Sequence, residues 1–378
     1  MSEQGQTDIS YMRRALELAS LGLYSTYPNP AVGCVIVKDG RIIGEGYHHK
    51  AGQPHAEIEA LKSADYNVAG ATCYVTLEPC SHYGRTPPCA LKLVEMKVAR
   101  VVIACGDPNP QVAGRGIKIL RDAGIEVTEH VLEQEAFELN RAFFKAIVEN
   151  IPYVSVKIGM SLDARTALAS GESQWITGVE SRSDVQDQRA TSDALITGIG
   201  TVTADNPRLN VRYSDLPTEV RSKISADTLR QPLKVVLDSR GTLDINKYQL
   251  FTTGRVLWCT ADDGVETTLE ERINSQVTRV TLPRENGLIN LKALLAYLGT
   301  LGIRRALVEA GATLASAFIE QALADEIICY VAPKIIGGSS KSTFRLPEIA
   351  DLNARTAYKF SKTELKGADV KLTLRRNA

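Results

Sequence analysis

Short apolar runs and longer amphipathic stretches take turns along the first 150 residues, and this alternation dictates the class of fold. AVGCVIV (31–37) and RIIGEGY (41–47) flank Lys38-Asp39-Gly40, a hairpin-turn composition. DISYMRRALELASLG (8–22) has the spacing of an amphipathic helix ending at Gly22. HAEIEALKSA (55–64) predicts a helix, ATCYVTL (71–77) a strand, CALKLVEMK (89–97) a helix and RVVIACG (100–106) a buried strand. GIKILRDAG (116–124) is a helix stopped by Gly124, IEVTEHV another strand, and EQEAFELNRAFFKAIVEN (133–150) a longer helix. A chain in this order has to lay a sheet between helices.

Asn150-Ile151-Pro152 breaks the long helix and sets a domain boundary, giving domains 1–150 and 151–378. A length of 378 residues suits two domains. The second domain repeats the α/β pattern. Strands are expected at YVSVKIGMS (153–161), LKVVLDS (233–239), RVLWCTA (255–261), RALVEAG (305–311) and DEIICYVAPKIIGG (325–338). VESRSDVQDQRATS (179–192) and TLASAFIEQALA (313–324) are expected helices, and DALITGIGTVTAD (193–205) opens as a strand. Residues 212–232 are polar with two prolines and read as a surface excursion.

Lys+Arg and Asp+Glu both number 44, so the formal net charge is zero. That balance argues against a general nucleic-acid or membrane-surface protein. The polar start, MSEQGQTDIS, has no apolar signal region, and no run approaches the roughly 18–20 apolar residues of a membrane span. A cytoplasmic enzyme acting on small molecules is the expectation, with a homo-oligomer as the common quaternary form. The seven cysteines are odd in number and scattered, which argues against a disulfide framework. Cys34, Cys73, Cys105, Cys259 and Cys329 lie in apolar runs as small buried hydrophobes. Cys80 and Cys89 instead flank a polar loop.

His55, Cys80 and Cys89 each fall at or near a predicted helix start, where thiolates are favoured. Three such donors leave one zinc position to water, as in catalytic sites. Glu57, two residues after His55, can lean over that water from the first turn of the helix and relay its proton. Alone, each feature has a plain alternative: a first-turn acid favoured by the helix dipole, a structural clip with His82 as fourth ligand, or simple packing. Zinc deaminases carry H-x-E followed by P-C-x-x-C. Here His55-Ala56-Glu57 and Pro79-Cys80 are present, but the second Cys comes nine positions on, so the short-spacer pattern is not met.

PNPAVGCVIV, GYHHKAGQPHAEIEAL and VTLEPCSHYGRTPPC together resemble the deaminase half of the bacterial bifunctional riboflavin-biosynthesis proteins, the RibD family, in which the longer spacer is the rule. The resemblance implies a cytidine-deaminase-like α/β/α fold, zinc on His55, Cys80 and Cys89, and Glu57 as proton shuttle. It places Asn29, His48, His82 and Arg85 in segments lining the substrate pocket. The implied substrate is a diaminopyrimidinone bearing a phosphoribosylamino group, which loses its C2 amine.

In the second domain no G-x-G-x-x-G follows a strand, so a Rossmann fingerprint is absent. RALVEAGATLASAF reads as strand, turn and helix, with amides placed to receive a phosphate. VKIGMSLDARTA, SGESQWITG, SDALITGIGTVTADNPRLNVR, VVLDS and VEAGATLASAF, in this order, resemble the reductase half of the same family, which is similar to dihydrofolate reductase and uses NADPH. The resemblance implies that the nicotinamide nucleotide meets Gly159, Trp175, Thr201, Asp205, Ser239 and Gly311, Ala312, Thr313, Leu314, Ala315, Ser316 and Ala317. The ribosyl-phosphate substrate would meet Ser173, Arg189, Leu209, Arg212 and Glu309. Ala164 stands where the family has Gly, so a left-handed turn there would be strained. Two rival readings are a deaminase of another pyrimidine nucleotide or of nucleic acid with an accessory nucleotide-binding domain, and a zinc-stabilised scaffold without activity.

Overall fold

The computed structural model describes residues 3–83, 87–109, 113–264, 268–348, 351 and 358–377, in two compact units, Met1–Asn150 and Ile151–Ala378. The first unit runs α1 (Glu3–Leu21), β1 (Gly33–Lys38), β2 (Arg41–Tyr47), α2 (Ala56–Ser63), β3 (Thr72–Leu77), α3 (Cys89–Glu95), β4 (Arg100–Cys105), α4 (Arg115–Asp122), β5 (Glu126–Thr128) and α5 (Glu133–Glu149). Its sheet has the order β2-β1-β3-β4-β5. β1 is antiparallel to β2 and β3, and the β3-β4-β5 pairs are parallel.

Successive side chains leave a strand on opposite faces. Cys34, Ile36, Cys73, Val75, Val101 and Ile103 point to one side, where Ala60 and Leu61 of α2, Leu93 of α3 and Leu120 of α4 cover them. Val35, Val37, Tyr74, Val102 and Ala104 point to the other, against Met12, Ala15 and Leu18 of α1 and Phe144 of α5. The sheet thus lies between helices, as the alternation requires. The hairpin turn holds Asp39 (φ 49°) and Gly40 (φ 71°) in the left-handed region, which matches the twist of the flanking strands.

Two close backbone contacts seat α2 on β2. A Cβ on Gly44 would stand 2.3 Å from the carbonyl oxygen of Ala60, and one on Gly46 would stand 2.4 Å from the Ala60 nitrogen. Helix backbone therefore rests directly on strand backbone, an approach that only glycine permits.

The second unit runs β6 (Tyr153–Ser161), β7 (Arg165–Ala167), α6 (Val179–Ala190), β8 (Ala194–Gly198), α7 (Ile199–Asp205), α8 (Thr218–Arg221), β9 (Leu233–Leu237) and β10 (Val256–Asp262). It continues with β11 (Leu269–Arg272), β12 (Val277–Glu285), β13 (Leu288–Ile289), α9 (Leu291–Thr300), β14 (Arg305–Glu309) and α10 (Ala312–Glu320). β15 (Glu326–Ala332), β16 (Lys341–Ser342), β17 (Tyr358–Lys366) and β18 (Asp369–Arg376) complete it. The main sheet has the order β11-β12-β10-β9-β8-β14-β6-β15-β18-β17, with β13 on β12. Strands β12 through β15 in that order are parallel, and β11, β13, β18 and β17 pair antiparallel.

The structure corrects several sequence expectations. α1 starts at Glu3 rather than at residue 8. β15 ends at Ala332, and the tail of the expected strand turns through Gly337 and Gly338, both at positive φ. The polar 212–232 segment carries α8 and buries Leu216 and Val220, so it is anchored to the core rather than only an excursion. Ala164 adopts φ 57°, the left-handed turn conformation in which a Cβ is strained. Its neighbour Asp163 accepts the N–H groups of Ile336 (3.1 Å) and Gly337 (2.7 Å), and Thr343 N–H donates to the Ala164 carbonyl (3.1 Å). These bonds hold the turn against that strain.

Gly46→Ala should destabilise the first unit by about 1–3 kcal/mol, the usual range for an overpacked contact. Urea unfolding should show an earlier transition for this unit and an unmoved one for the second.

Candidate functional site

In the first unit, two helix starts and a strand end converge. His55 caps α2 in extended conformation (φ −73°, ψ 165°), Cys89 is the first residue of α3, and Cys80 follows the carboxyl end of β3. His55 Nδ1 lies 3.5 Å from Cys80 Sγ and 3.4 Å from Cys89 Sγ. All three donor atoms are within 4.8 Å of one another. Zinc bonds of about 2.0 Å to nitrogen and 2.3 Å to sulfur, at tetrahedral angles, separate N and S by about 3.5 Å. The residues present therefore fit that ion, and the donor set of one imidazole and two thiolates suits it chemically.

Hydrogen bonds link the donors to one another. Hydrogen bonds from Cys89 and then His55 hold the Cys80 thiol at about 4, against the effect of burial. The hydrogen bond to Cys80 pushes His55 up to about 9. Cys89 is held above the ordinary thiol range by its hydrogen bond to Cys80 and by burial. Glu57, 3% exposed in the first turn of α2, is pushed up to about 7 by burial. A carboxyl poised there can take and return a proton at neutral pH.

The ring of His48 stands edge-on to that of His55, centroids 5.4 Å apart. His48 Nδ1 lies 3.0 Å from the Pro54 carbonyl, so it must donate; Nε2 then accepts from Asn29 Nδ2 at 3.0 Å. Burial lowers the pKa of His48, in keeping with a neutral ring. Asn29 and His48 are thus brought together beside the donors: Nδ1 of His48 braces the loop that ends in His55, and Nε2 ties it to the Asn29 segment. His82 is exposed in the loop after Cys80, and Arg85 lies outside the described residues.

In the second unit, most of the predicted residues gather at the carboxyl ends of the parallel strands, where open α/β sheets bind ligands. Gly159 lies near the end of β6, Thr201 in the first turn of α7 after β8, Ser239 beyond β9 and Gly311 beyond β14. Gly311 N–H donates to Thr201 Oγ1 (3.2 Å), tying two of these loops together. Gly311 also caps α10 without a side-chain hydrogen bond, so the amides of Ala312, Thr313 and Leu314 open the helix. Glu309, at the end of β14, takes both arms of Arg189 (2.5 and 3.0 Å) and lies 3.3 Å from Lys157 Nζ. Burial alone would raise its pKa, but the charges of Arg189 and then Lys157 outweigh burial and hold it at about 2.

Residues 5–105 match the family described as the cytidine and deoxycytidylate deaminase zinc-binding region, and residues 152–372 match the RibD C-terminal domain. The chain is 46% identical to the riboflavin biosynthesis protein RibD of Haemophilus influenzae over 99% of its own length and 98% of the relative's. The Escherichia coli protein of that name is 45% identical, over 97% and 99%. The chain belongs to the RibD family. Its structure is similar to that of Acinetobacter baumannii RibD, with TM-score 0.87 and 45% identity, covering 99% and 100% of the two chains. It is also similar to the deaminase/reductase of Thermotoga maritima, with TM-score 0.86 and 33% identity, covering 99% and 100%. Riboflavin-biosynthesis RibD proteins join a zinc-dependent deaminase to an NADPH-dependent reductase, and this chain carries both family regions. No helix among the described residues is long and apolar enough to cross a membrane.

Several placements differ from the expected contacts. Leu209 is 4% exposed and packs with Leu195, Val202 and Val236, so its side chain belongs to the core and not to a substrate pocket. Ala315 and Ser316 face the interior, and Ser316 Oγ accepts the Arg345 N–H (2.7 Å), so neither offers its side chain to a cofactor. Ala317 and Ser173 are partly buried, and Asp205 is exposed at the end of α7. Arg212 is exposed and paired with Asp215 at 2.5 Å. Trp175 is exposed, with the Arg182 guanidinium 4.5 Å from its ring centroid. Sequence reasoning passed over Lys157, the lone charge in YVSVKIGMS, and over Glu78 and Asp107, which flank the metal loop.

Zinc must displace the protons on His55 and Cys89, so acid should weaken its binding. Losing two protons per ion predicts about a 100-fold fall in apparent affinity per pH unit between roughly pH 8 and 5. The slope should steepen below about 4, where Cys80 also protonates. Competition against a chromogenic chelator reads the profile, and a flat one would exclude these ligands.

Proposed function

We propose that residues 1–150 hydrolytically deaminate 2,5-diamino-6-(5-phosphoribosylamino)pyrimidin-4(3H)-one, and that residues 151–378 reduce 5-amino-6-(5-phosphoribosylamino)uracil with NADPH to the ribityl compound. The Thermotoga maritima relative is named for this deaminase and this reductase. The observation that carries the reading is the His55–Cys80–Cys89 cluster with Glu57 buried beside it. His55, Cys80 and Cys89 would hold zinc, which supplies Lewis acidity and a water acidified towards neutrality. Glu57 accepts a proton at its carboxylate and delivers it to the departing amine, which leaves as ammonia. Burial raises the pKa of Glu57, which favours proton uptake at its carboxylate.

NADPH held in the second unit would supply the hydride that reduces the ribosyl group at C1′. The Gly311–Leu314 turn would bind phosphate through its amides. Glu309 keeps its charge at neutral pH and orients Arg189 and Lys157 at the end of β14, where they would meet the substrate. Asn29, His48, His82 and Arg85 belong to the substrate side of the first site, with His48 acting through the loop it braces. Relatives named for riboflavin biosynthesis over nearly the whole chain support this reading over a nucleic-acid deaminase or an inert scaffold.

Glu57→Gln should keep one zinc per chain and lose about 10²–10⁴-fold in ammonia release, the usual worth of a positioned general acid–base. NADPH oxidation with the aminouracil substrate should stay at the wild-type rate. Ammonia release that survives the substitution would sink the assignment.

Lys157→Met removes a charge beside the substrate crevice and should slow NADPH oxidation by about 10²–10³-fold, as loss of one electrostatic donor does elsewhere. Ammonia release should be untouched. Separate assays of the two reactions, one by ammonia and one by nicotinamide absorbance, check both statements.

A further inference from the structure

The ligand Cys80 is borne on a segment whose fixation comes from an element that supplies no ligand. Glu78, between β3 and Pro79-Cys80, is 4% exposed. Its Oε2 accepts the N–H of Gly114 (2.9 Å) and of Asp107 (3.4 Å). Its Oε1 accepts the N–H of Gly116 (2.9 Å) and of Ile117 (3.4 Å). One carboxylate thus takes four backbone donors, three of them at the start of α4, where free amides and the helix dipole favour a negative charge. The next residue is pinned to the same place: a Cβ on Gly116 would stand 2.0 Å from the Pro79 carbonyl oxygen. Beyond it, the Cys80 carbonyl accepts the Ala90 N–H at 3.3 Å.

We infer that Glu78 is a positioning residue of the metal site, which clamps the Cys80 segment onto the start of α4 and so sets where the Cys80 sulfur stands relative to His55 and Cys89. The inference rests on the deaminase reading of the first unit. Charge and shape are both needed. A glutamine would keep one oxygen but aim an NH2 group at backbone donors, losing acceptors on one side. An aspartate would keep the charge but fall short of α4.

The test compares full-length wild type, Glu78→Gln, Glu78→Asp and Gly116→Ala. Zinc affinity is measured by chelator competition at fixed pH. The Co2+-loaded proteins are examined by absorption, through the thiolate charge-transfer and d–d bands. Ammonia release is resolved into kcat and KM, and NADPH oxidation by the second unit controls for the integrity of the chain. Glu78→Gln should bind zinc about 10–100-fold more weakly, the range for partners that orient metal ligands. It should shift the cobalt spectrum and lower kcat with little change in KM. Glu78→Asp should fall between, and Gly116→Ala, which pushes on Pro79 from the other side, should move affinity and spectrum in the same direction. A Glu78→Gln protein with wild-type zinc affinity and an unchanged cobalt spectrum overturns the inference. If that variant does not fold, Glu78→Asp decides alone by the same two measurements. A wild-type chain that neither binds zinc nor releases ammonia sinks the deaminase reading; a wild type that does both beside an indistinguishable variant sinks only the positioning role.

Discussion

Two thiol sulfurs and an imidazole nitrogen sit within contact distance of each other in the first unit, and that crowding has to be imposed by the fold. Unrestrained, a thiolate and its neighbours would separate into water. Three features oppose this. α2 is seated on β2 by backbone contact at Gly44 and Gly46. Cys89 stands at the start of α3, and its N–H points at Cys80 Sγ. Cys80 itself hangs from the end of a central strand. Because each donor comes from a different element, the separations depend on the packing of the whole layer over the sheet. A cation that binds there gains a preformed cage and need not order the chain, which is the logic of preorganised sites.

The second unit solves a different electrostatic problem. Glu309 is buried at the end of a central strand, where an unpaired carboxylate would be costly. Arg189 reaches it from α6, and Lys157 from the neighbouring strand β6, in direct register. Two cations on one anion leave an excess positive charge at the carboxyl end of the sheet. Buried ion pairs rarely add net stability over a well-packed apolar trio. The cluster therefore contributes a fixed charge pattern at the end of the sheet more than it contributes stability.

The first site was legible because rare residue types recur near element ends: a His before an acid in the first turn of a helix and a Cys opening a helix, while Cys80, expected near a helix start, instead follows the end of β3. Local sequence can show that. It cannot show Lys157 meeting Glu309, because the pair forms through strand register between segments 152 residues apart in number, with β14 inserted beside β6. Nor could it show Leu209 turning inward, since a left-handed residue in a polar loop has no periodicity to betray it. The β17–β18 hairpin escaped for a related reason. β18 does alternate, Val370, Leu372 and Leu374 against polar neighbours, but β17 is exposed along most of its length and gives no such signal, so no hairpin was read. The departure at Ala164 was visible, and the chain bears it because hydrogen bonds from neighbouring loops hold the turn.

The two buried glutamates illustrate how environment, not residue type, sets a role. Glu57 has no cation close enough to offset its burial fully, so its carboxyl titrates at about 7 and can move a proton at neutral pH. Glu309 is equally buried but held by two cations, and at about 2 it is a fixed charge across the physiological range. Interchanging their surroundings would interchange what they can do. It follows that any proton the second unit must deliver to an opening sugar cannot reside on Glu309 at rest. It has to come from a donor such as the neighbouring Lys157, from another polar group in the crevice, or from water. The carboxylate's contribution is to hold those two cations in place.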